Sequence, residues 1–433
     1  MNGLLTRAYD RLVARGAGEP GDPAPDPRTA HAFFVLLTSY FLTKLGDAIT
    51  NPKTVLAWLG SSIGMPIYLV GMLVPVREAG SLLPQFYVAA IVRRQTIRKW
   101  LWVGGACLQG LAILAIAAVA TALRGQAAGI AILALTAIFA LARSLSSVAA
   151  KDVLGKTIPK GQRGQVTGWS ASLAGLLTIG IGGTIAAGAG DDGSSGMLAA
   201  VLAGASLLWF IAAVTYARID EPRGSADSGA DGEASPWSRF RLLAEEPAFR
   251  DFIIVRALLL GSALTAPYLV ILAQARIGSG AQVLGAFVAA GGLASLVSAP
   301  AWGRLADRSA RAVMRIAALA TAAIGAAVAA VDWLWPAQSA SGWFLPLAFF
   351  LLSIAHAGAR VGRKTYVVDL ASGNRRTDYV SIGNSVIGVL LLLTGLIGLA
   401  EPLLTIPGII LTFSIMGVAS AAYGSRLPGV SKR

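Results

Sequence analysis

Four charged side chains fall inside stretches of the sequence that are otherwise long and apolar. Lys44 and Asp47 lie in the first such stretch, and Arg77 and Glu78 lie side by side in the second. A charged group at the centre of a bilayer costs at least about 2.5–3.5 kcal/mol, so charges in a membrane-spanning helix mark a functional site. Lys44 and Asp47 are spaced i and i+3 and share one helix face, which Asn51 continues one turn later.

These charges admit two interpretations. In the first, they form a structural network in which Asp47 is neutralised by Lys44 or by Arg77. In the second, one carboxylate, Asp47 or Glu78, binds a proton or a cationic group. Burial favours the protonated carboxyl group and a neighbouring cation favours the carboxylate, so both interpretations stay open. A cation whose alternative partner is the substrate would make such a site switchable.

Two further ionisable residues, Arg143 and His356, fall in later apolar stretches. Arg143 is expected near the inner end of its span, where it either contacts an anion or extends to the membrane surface. Histidine titrates near neutral pH, and a hydrogen-bonded packing role is the alternative for His356. Arg256 stands about one turn inside its stretch and is expected at the membrane interface.

Motifs for enzymatic chemistry are absent from the sequence. It contains no G-x-x-x-x-G-K-[ST] loop, which would bind nucleotide phosphates, and no H-E-x-x-H zinc motif. Two histidines and one cysteine leave little for nucleophilic catalysis or metal binding. We therefore predict no catalytic residue, no metal and no cofactor. A membrane enzyme would need convergent catalytic groups that the sequence does not offer.

The elements that carry the charged residues are predicted to be membrane-spanning helices. Of the 433 residues 55% are hydrophobic and 13% are charged, against about 25% charged in soluble domains. The mean hydropathy is +0.67. A helix crosses the bilayer core with about 20 apolar residues. Twelve windows meet this requirement, at 32–55, 63–91, 100–121, 127–148, 166–188, 196–216, 252–274, 281–301, 313–332, 343–360, 379–398 and 402–422.

Basic residues alternate between the two sides of these windows. Twenty-nine of the 36 Lys and Arg residues lie in the even-numbered connections and at the chain ends, whereas the opposite side holds Lys53, Arg124 and Arg276. Because positive residues stay in the cytoplasm, we predict a multi-pass inner-membrane protein with both termini cytoplasmic. The same distribution accounts for most of the net charge of +14 without a nucleic-acid partner.

Two polar segments divide the chain. Residues 3–15 are predicted to form an amphipathic helix on the inner leaflet, and a linker rich in Gly, Ser, Ala and Asp occupies 221–236, followed by a second interfacial helix at 237–249. The predicted domains are a cytoplasmic N-terminal segment at 1–31, a six-helix bundle at 32–216, a cytoplasmic linker at 217–250, a second six-helix bundle at 251–424 and a cytoplasmic tail at 425–433.

The two halves repeat each other at an offset of 213 residues. The corresponding pairs include basic residues and helix-start residues, and they are Arg143 with His356, Lys151 with Lys364, Arg163 with Arg376, Ser172 with Ser385, and Gly175 with Gly388. Basic residues at equal spacing beside equivalent windows indicate a duplication. Parallel six-helix repeats around a site near the middle of the membrane are typical of transporters.

A charged motif separates the eighth window from the ninth. It runs Gly303-Arg304-Leu305-Ala306-Asp307-Arg308-Ser309-Ala310-Arg311. This resembles the cytoplasmic loop signature of the major facilitator superfamily, G-x-L-A-D-R-x-G-R, which that family carries between helices 2 and 3 and often again between helices 8 and 9. The residues expected to act in gating are Gly303, Asp307, Arg308 and Arg311.

The resemblance implies an all-α integral membrane fold of two six-helix bundles related by a pseudo-two-fold axis. It also implies that Asp307 and its arginines latch the cytoplasmic ends of two helices in the outward-facing state; the alternative is that they only fix topology. The first copy of the motif, at residues 90–99, has Arg94 at the position of Asp307. The two halves are therefore expected to gate unequally.

The function that these observations predict is secondary active transport by alternating access. We expect a monomer that moves a small organic solute across the lipid bilayer in exchange for or together with protons, with export favoured over uptake. The alternative is a membrane protein of the same fold that has an assembly or sensing role and does not transport.

Overall fold

The computed structural model describes residues 6–9, 13, 26–188, 195–224, 238–370 and 375–430. Within these ranges the chain forms α-helices and short 3-10 turns and contains no strand. The helices of the first half are α1 Pro27–Ile49, α2 Val55–Ser62, α3 Ile67–Leu82, α4 Gln85–Arg93, α5 Lys99–Ala122, α6 Gly125–Thr157, α7 Arg163–Gly188 and α8 Ser195–Ala217.

The second half is built in the same way. Its helices are α9 Leu242–Glu245, α10 Pro247–Leu258, α11 Gly261–Ile277, α12 Ala281–Leu334, α13 Pro336–Ser339, α14 Phe344–Leu370, α15 Arg375–Gly395 and α16 Glu401–Tyr423. Its 3-10 turns are Ser238–Arg241, Leu396–Ala400 and Gly424–Arg426. All twelve predicted windows overlap helices of the structure, and the predicted all-α membrane fold is confirmed.

The described residues contain ten helical stretches that are long and apolar enough to cross a membrane, or eleven if the bent pair α3 and α4 forms one span. One of the ten, Asp378–Arg426, contains both α15 and α16. The count of twelve spans therefore stays a prediction. The outer faces suit hydrocarbon: α5, for example, exposes Leu108, Leu111 and Leu114 at three-residue spacing.

Local sequence explains where several helices begin and end. Asp26 caps α1 by accepting a 3.1 Å hydrogen bond from the Arg28 backbone N–H, and Pro27 occupies the first turn, where a missing N–H costs nothing. At its other end α1 stops at Ile49, shortly before Pro52, and a proline cannot continue a regular helix.

The charged motif forms the break between the eighth and ninth windows. Ser309 has non-helical backbone angles and divides the long helix α12. Its hydroxyl accepts a hydrogen bond of 3.2 Å from the Ala312 backbone N–H. A serine in this position satisfies a free backbone donor at the start of a helix, so the motif both ends one helix and begins the next.

The halves pack internally and then against each other. Helix α5 packs on α6 and α8 in the first half, and α12 packs on α14 and α16 in the second. Across the interface α7 packs on α12 and α3 packs on α15. The repeat mates Gly175 and Gly388 both lie on these cross-contacts, facing Gly292 and Leu83 respectively. The interface therefore has the two-fold character expected from the repeat.

Three predicted segments are described only in part. Residues 6–9 of the predicted N-terminal helix are helical, and Tyr9 packs edge-on against Phe33 with a ring-centroid separation of 5.3 Å. Of the predicted helix at 237–249, the described residues 238–249 form a 3-10 turn, α9 and the start of α10. Residues 225–236 of the linker lie outside the described residues, and the domain boundaries stay predictions.

The first part of the linker is bound to the helices of the first half. Glu221, whose side chain is fully buried, accepts hydrogen bonds from the backbone N–H groups of Arg98, at 2.9 Å, and Lys99, at 2.6 Å. Its carboxylate also lies 2.9 Å from Lys156 Nζ. Glu221 therefore caps the start of α5 and joins it to the end of α6.

Candidate functional site

A cavity of about 700 Å³ lies between the two halves. Helices α1, α3, α6 and α7 line it from the first half, and α11, α12 and α14 line it from the second. The structure places all seven predicted cavity residues around this one space, namely Lys44, Asp47, Asn51, Arg77, Glu78, Arg143 and His356. Residues that span more than 300 positions of sequence therefore share one polar interior.

Asp47 is bound by two arginines from different helices. Arg77 on α3 donates from Nη2 to Asp47 Oδ1 at 2.7 Å, and Arg143 on α6 donates from Nη1 to Oδ2. The side chain of Arg77 is only 7% exposed, and its Cζ lies 4.1 Å from the ring centroid of Phe139. The Nη1 atom of Arg77 is buried, and none of the described residues forms a hydrogen bond with it. One carboxylate thus holds two guanidinium groups.

Lys44 has different partners from those considered in the sequence analysis. Its Nζ donates to the carbonyl oxygen of Thr167 and to Ser170 Oγ, both at 2.7 Å. It therefore ties α1 to the start of α7 instead of pairing with Asp47. The structural network predicted for Asp47 exists, and its cations are the two arginines.

Glu78 differs from Asp47 in its surroundings. Its side chain is exposed to the cavity, and in the described part of the chain it has no ion pair and no hydrogen bond. Lys53 and Arg363 are close enough to interact with it electrostatically. The two carboxylates of the cavity are therefore unequal: one is held between arginines and the other is open to water.

Arg143 lies deeper than expected. The sequence placed it near the inner end of a span, but α6 continues to Thr157, so Arg143 falls in the middle of the helix. Its guanidinium contacts the carboxylate of Asp47, and a contact with a solute anion stays a prediction. His356 Nδ1 lies 3.1 Å from Ser262 Oγ, which joins α14 to α11.

Arg256 was expected at the membrane interface, and the structure shows that neighbouring helices enclose its side chain. It is buried, and its Nη2 donates to Asn384 Oδ1 at 2.8 Å. Asn384 in turn donates from Nδ2 to Gln85 Oε1 at 3.0 Å. A polar chain therefore crosses from α10 through α15 to α4 in the opposite half. Window edges drawn by hydropathy cannot show this, because packing of neighbouring helices buries the arginine.

Lys53 was expected in an outer connection and instead lines the cavity. Because α1 ends at Ile49, the short segment before α2 carries Lys53 toward Glu78, Arg360 and Arg363. Pro52 is the sequence signal that could have located this break, because a proline interrupts a helix. With Lys53 in the cavity, Arg124 and Arg276 remain as the basic residues on the sparsely charged side.

The gating motif lies away from the cavity. Arg311 donates from Nη1 to the carbonyl oxygen of Leu427 at 2.7 Å. Asp307 and Arg308 are exposed, and within the described residues Asp307 has neither an ion pair nor a hydrogen bond. A Cβ at Gly303 would meet open space. The predicted latch between Asp307 and a neighbouring helix end is therefore not formed in this conformation, and its gating role stays a prediction.

A second, smaller cavity of about 280 Å³ lies within the first half. It shares Lys44, Asp47 and Arg143 with the central cavity. Beyond these it is lined by Trp102, Gln109 and Lys151, among others. Asp47 thus stands where two cavities meet.

The two halves are closed together at the end opposite to the basic connections. A Cβ at Gly182 on α7 would lie 2.8 Å from Ala289 Cα on α12, and one at Gly285 would lie 2.9 Å from Ala186 Cα. Tyr268 closes the same end, because its hydroxyl approaches both Gly71 and Gly398. The central cavity is therefore sealed at this end by direct backbone contact.

Comparison with known proteins agrees with this architecture. The family model described as Major Facilitator Superfamily matches residues 36–276. A POT family transporter in complex with a thioalcohol-conjugated peptide has a TM-score of 0.70 at 12% identity, over 91% of this chain and 94% of its own. The nucleoside transporter NupG has a TM-score of 0.69 at 13% identity, over 92% and 99%.

A third solved structure is the xylose transporter XylE from E. coli in an inward-open conformation. It has a TM-score of 0.65 at 12% identity and covers 92% of this chain and 97% of its own. No curated protein matches the sequence significantly. At these identities the solved structures establish the fold, and the family model establishes the kinship.

Proposed function

We propose that this chain, which belongs to the Major Facilitator Superfamily, is a proton-coupled secondary transporter that moves a small organic solute by alternating access. The observation that carries the proposal is the charged cavity between the halves, which both halves line. A site at the interface of two repeats can be exposed to either side when the halves rock against each other.

The conformation described above corresponds to one end of that cycle. The sealed end bears Gly182 and Gly285, far along their helices from the basic connections. On the predicted orientation this end faces outside, so the conformation is inward-facing. The unmade latch at Asp307 supports this assignment, because the latch is expected to form in the outward-facing state.

Coupling to protons is proposed to act through the carboxylates of the cavity. Asp47 holds Arg77 and Arg143, and protonation would remove the charge that holds them. Either guanidinium would then lose its partner, so protonation would change the charge that the cavity presents to the solute. The smaller cavity supports this proposal, since it reaches Asp47 from within the first half.

The experiment compares driven transport with exchange in liposomes. The solute is the compound that most raises the unfolding temperature of the purified protein, because a ligand of the folded state stabilises it. We expect Asp47→Asn or Glu78→Gln to abolish accumulation driven by a pH gradient and to leave solute exchange intact. Exchange requires binding but no net movement of protons.

The control is Asp369→Asn, which makes the same carboxylate-to-amide change at an exposed position outside the cavity. It should accumulate solute like the unaltered protein. Continued accumulation in both cavity variants and in the double variant would contradict coupling through these carboxylates. The sign of the driven flux in the same vesicles measures the direction, for which export is the prediction.

The alternative is an assembly or sensing role without transport. A disulfide that locks the two halves together discriminates between the two functions. A transporter loses its cellular phenotype when the halves cannot move. A protein that acts only through its folded surface keeps that phenotype while conformational cycling is lost.

A further inference from the structure

The charges that line the central cavity do not balance. Its acidic residues are Asp47 and Glu78, whereas its cationic residues are Lys44, Lys53, Arg77, Arg143 and Arg360. Five cations thus face two carboxylates. Arg363 adds a further positive charge close enough to interact with Glu78 and Lys53.

Several of these cations already have partners. Asp47 holds Arg77 and Arg143, and Lys44 donates to oxygens of α7. Lys53 and Arg360 remain, and in the described part of the chain neither side chain has a hydrogen bond or an ion pair. They lie on opposite halves of the protein and are near enough to repel each other electrostatically.

A second observation points to a missing acceptor. Arg77 is nine-tenths buried and lines the same cavity, yet its Nη1 has no hydrogen-bond partner among the described residues. Buried guanidinium donors without an acceptor are costly, and the acceptors that suit them are carboxylate and phosphate oxygens. This Nη1 atom is itself buried away from the cavity space, so the cationic groups open to an acid group of the solute are Lys53 and Arg360.

The excess positive charge in the cavity becomes less favourable when the protein goes through its transport cycle. When the halves close over the cavity, water leaves and uncompensated charge is transferred to a medium of low dielectric constant. A neutral, zwitterionic or cationic solute would leave the excess positive charge in place or increase it. A solute with net negative charge would neutralise it and allow the halves to close.

We propose that the solute is an organic anion whose carboxylate or phosphate group binds between Lys53 and Arg360, bridging the two halves. This proposal rests on the transport function proposed above. Because the two cations come from opposite halves, binding of the acid group would draw the halves together. Ligand recognition and closure would then be the same event.

The sign of the cavity potential can be measured without knowing the solute. The natural cysteine is removed by Cys107→Ala, and a single cysteine is placed in the cavity by Ser353→Cys or on the sealed outer end by Ala337→Cys. Both positions are modified in lipid nanodiscs at low salt, where screening is weak. The reagents are the anionic sulfonatoethyl and the cationic trimethylammonium-ethyl methanethiosulfonates.

We expect the anionic-to-cationic rate ratio to be at least about tenfold higher at Ser353→Cys than at Ala337→Cys. Arg360 lies two helical turns from Ser353, about 10 Å along α14. At that distance in water, removing one unit charge lowers the ratio about fourfold. Arg360→Gln and Lys53→Gln should each lower it, whereas Lys53→Arg should preserve it. Arg218→Gln removes the same charge from an exposed position and should leave it unchanged.

The ligand class is tested by protection of the same cysteine from neutral methyl methanethiosulfonate. We expect succinate and inorganic phosphate to slow modification at Ser353→Cys, and succinamide and 1,4-diaminobutane to have no effect. A rate ratio equal to that of the outer cysteine would overturn the proposal. Modification unaffected by both anions, or slowed by the diamine, would overturn it as well.

This experiment is independent of the liposome assay. A raised ratio and protection by anions in a protein that transports nothing would leave the anion site standing and remove the transport function. Active transport together with equal rate ratios at the two cysteines would remove the anion site and leave the transport function standing.

Discussion

Arg77 donates a 2.7 Å hydrogen bond to the carboxylate of Asp47, and this bond joins α3 to α1 in the interior of the first half. The two residues stand thirty positions apart, on the two helices whose charges were least compatible with a membrane. Arg143, on α6, donates a hydrogen bond to the second oxygen of the same carboxylate. Three helices of one half therefore meet at a single acidic group, which faces the cavity that the other half closes.

Replacing that acidic group should reduce the stability of the fold. Breaking a buried ion pair by removing one partner costs about 3–5 kcal/mol. Because Asp47 is 23% exposed, we expect the free energy of unfolding of Asp47→Asn to fall by about 3 kcal/mol. The measurement is reversible unfolding of the purified protein by denaturant in detergent.

Glu78→Gln is the matched control for this prediction. Glu78 faces the same cavity but is exposed and has no ion pair in the described part of the chain. Its change should stay below about 1 kcal/mol, because charge interactions of a water-exposed side chain contribute little to stability. Equal losses in the free energy of unfolding for the two variants would mean that the ion pairs of Asp47 with the arginines add no stability of their own.

Much of this arrangement follows from the sequence. Hydropathy located the helices, because each must bury its own backbone hydrogen bonds in lipid. The cost of intramembrane charge selected the residues, and all seven selected ones line one cavity. Gly175 and Gly388, which the repeat offset pairs, occupy equivalent contacts between the halves in the structure.

The sequence did not reveal which charged side chains pair with each other. Spacing within one helix suggested Lys44 for Asp47, whereas the structure pairs Asp47 with arginines on two other helices. Arg256 and Lys53 were assigned to the membrane surface because only their distance from a window edge was known. The choice of partner depends on how helices cross, and one sequence carries no direct signal for that.

The buried carboxylate of Glu221 predicts a second stability effect, outside the membrane. It caps α5 and pairs with Lys156, so Glu221→Gln removes a buried charged acceptor, while Lys156 keeps its second partner Asp152 at 2.9 Å. We expect a loss of about 1.5–3 kcal/mol in the free energy of unfolding, as for hydrogen bonds to a charged group. The neighbouring Asp220 is exposed, and Asp220→Asn should cost less than about 0.5 kcal/mol. Indistinguishable unfolding curves for both variants would show that the linker start carries no stabilising contact.

The gating motif gives a third prediction. Asp307 is exposed and has no partner in the described ranges, so Asp307→Asn should leave the unfolding temperature of this conformation unchanged. It should still raise the inward-open population, because the outward-facing latch loses its carboxylate. Distances between spin labels on α3 and on the first part of α12 measure that population. Asp369→Asn, at another exposed acid, is the control, and unchanged distance distributions in Asp307→Asn would leave the motif with a topological role only.

The close packing of α7 on α12 predicts how the two halves can be forced apart. A Cβ at Gly182 would come within 2.8 Å of Ala289 Cα, a backbone atom that no change of rotamer can move aside. At the adjacent Gly183 a Cβ would meet open space. Both substitutions to alanine change helix propensity equally, so any difference between them reports the contact with α12.

We expect Gly182→Ala to favour the conformation in which the outer end is open. Overpacking costs about 1–3 kcal/mol, which corresponds to a population shift of about fivefold to 150-fold. Spin labels at Leu123→Cys and Ala337→Cys, both exposed near the sealed end, should report longer distances in this variant and unchanged distances in Gly183→Ala. Identical distributions in the two variants would mean that this contact persists throughout the cycle and is not the outer gate.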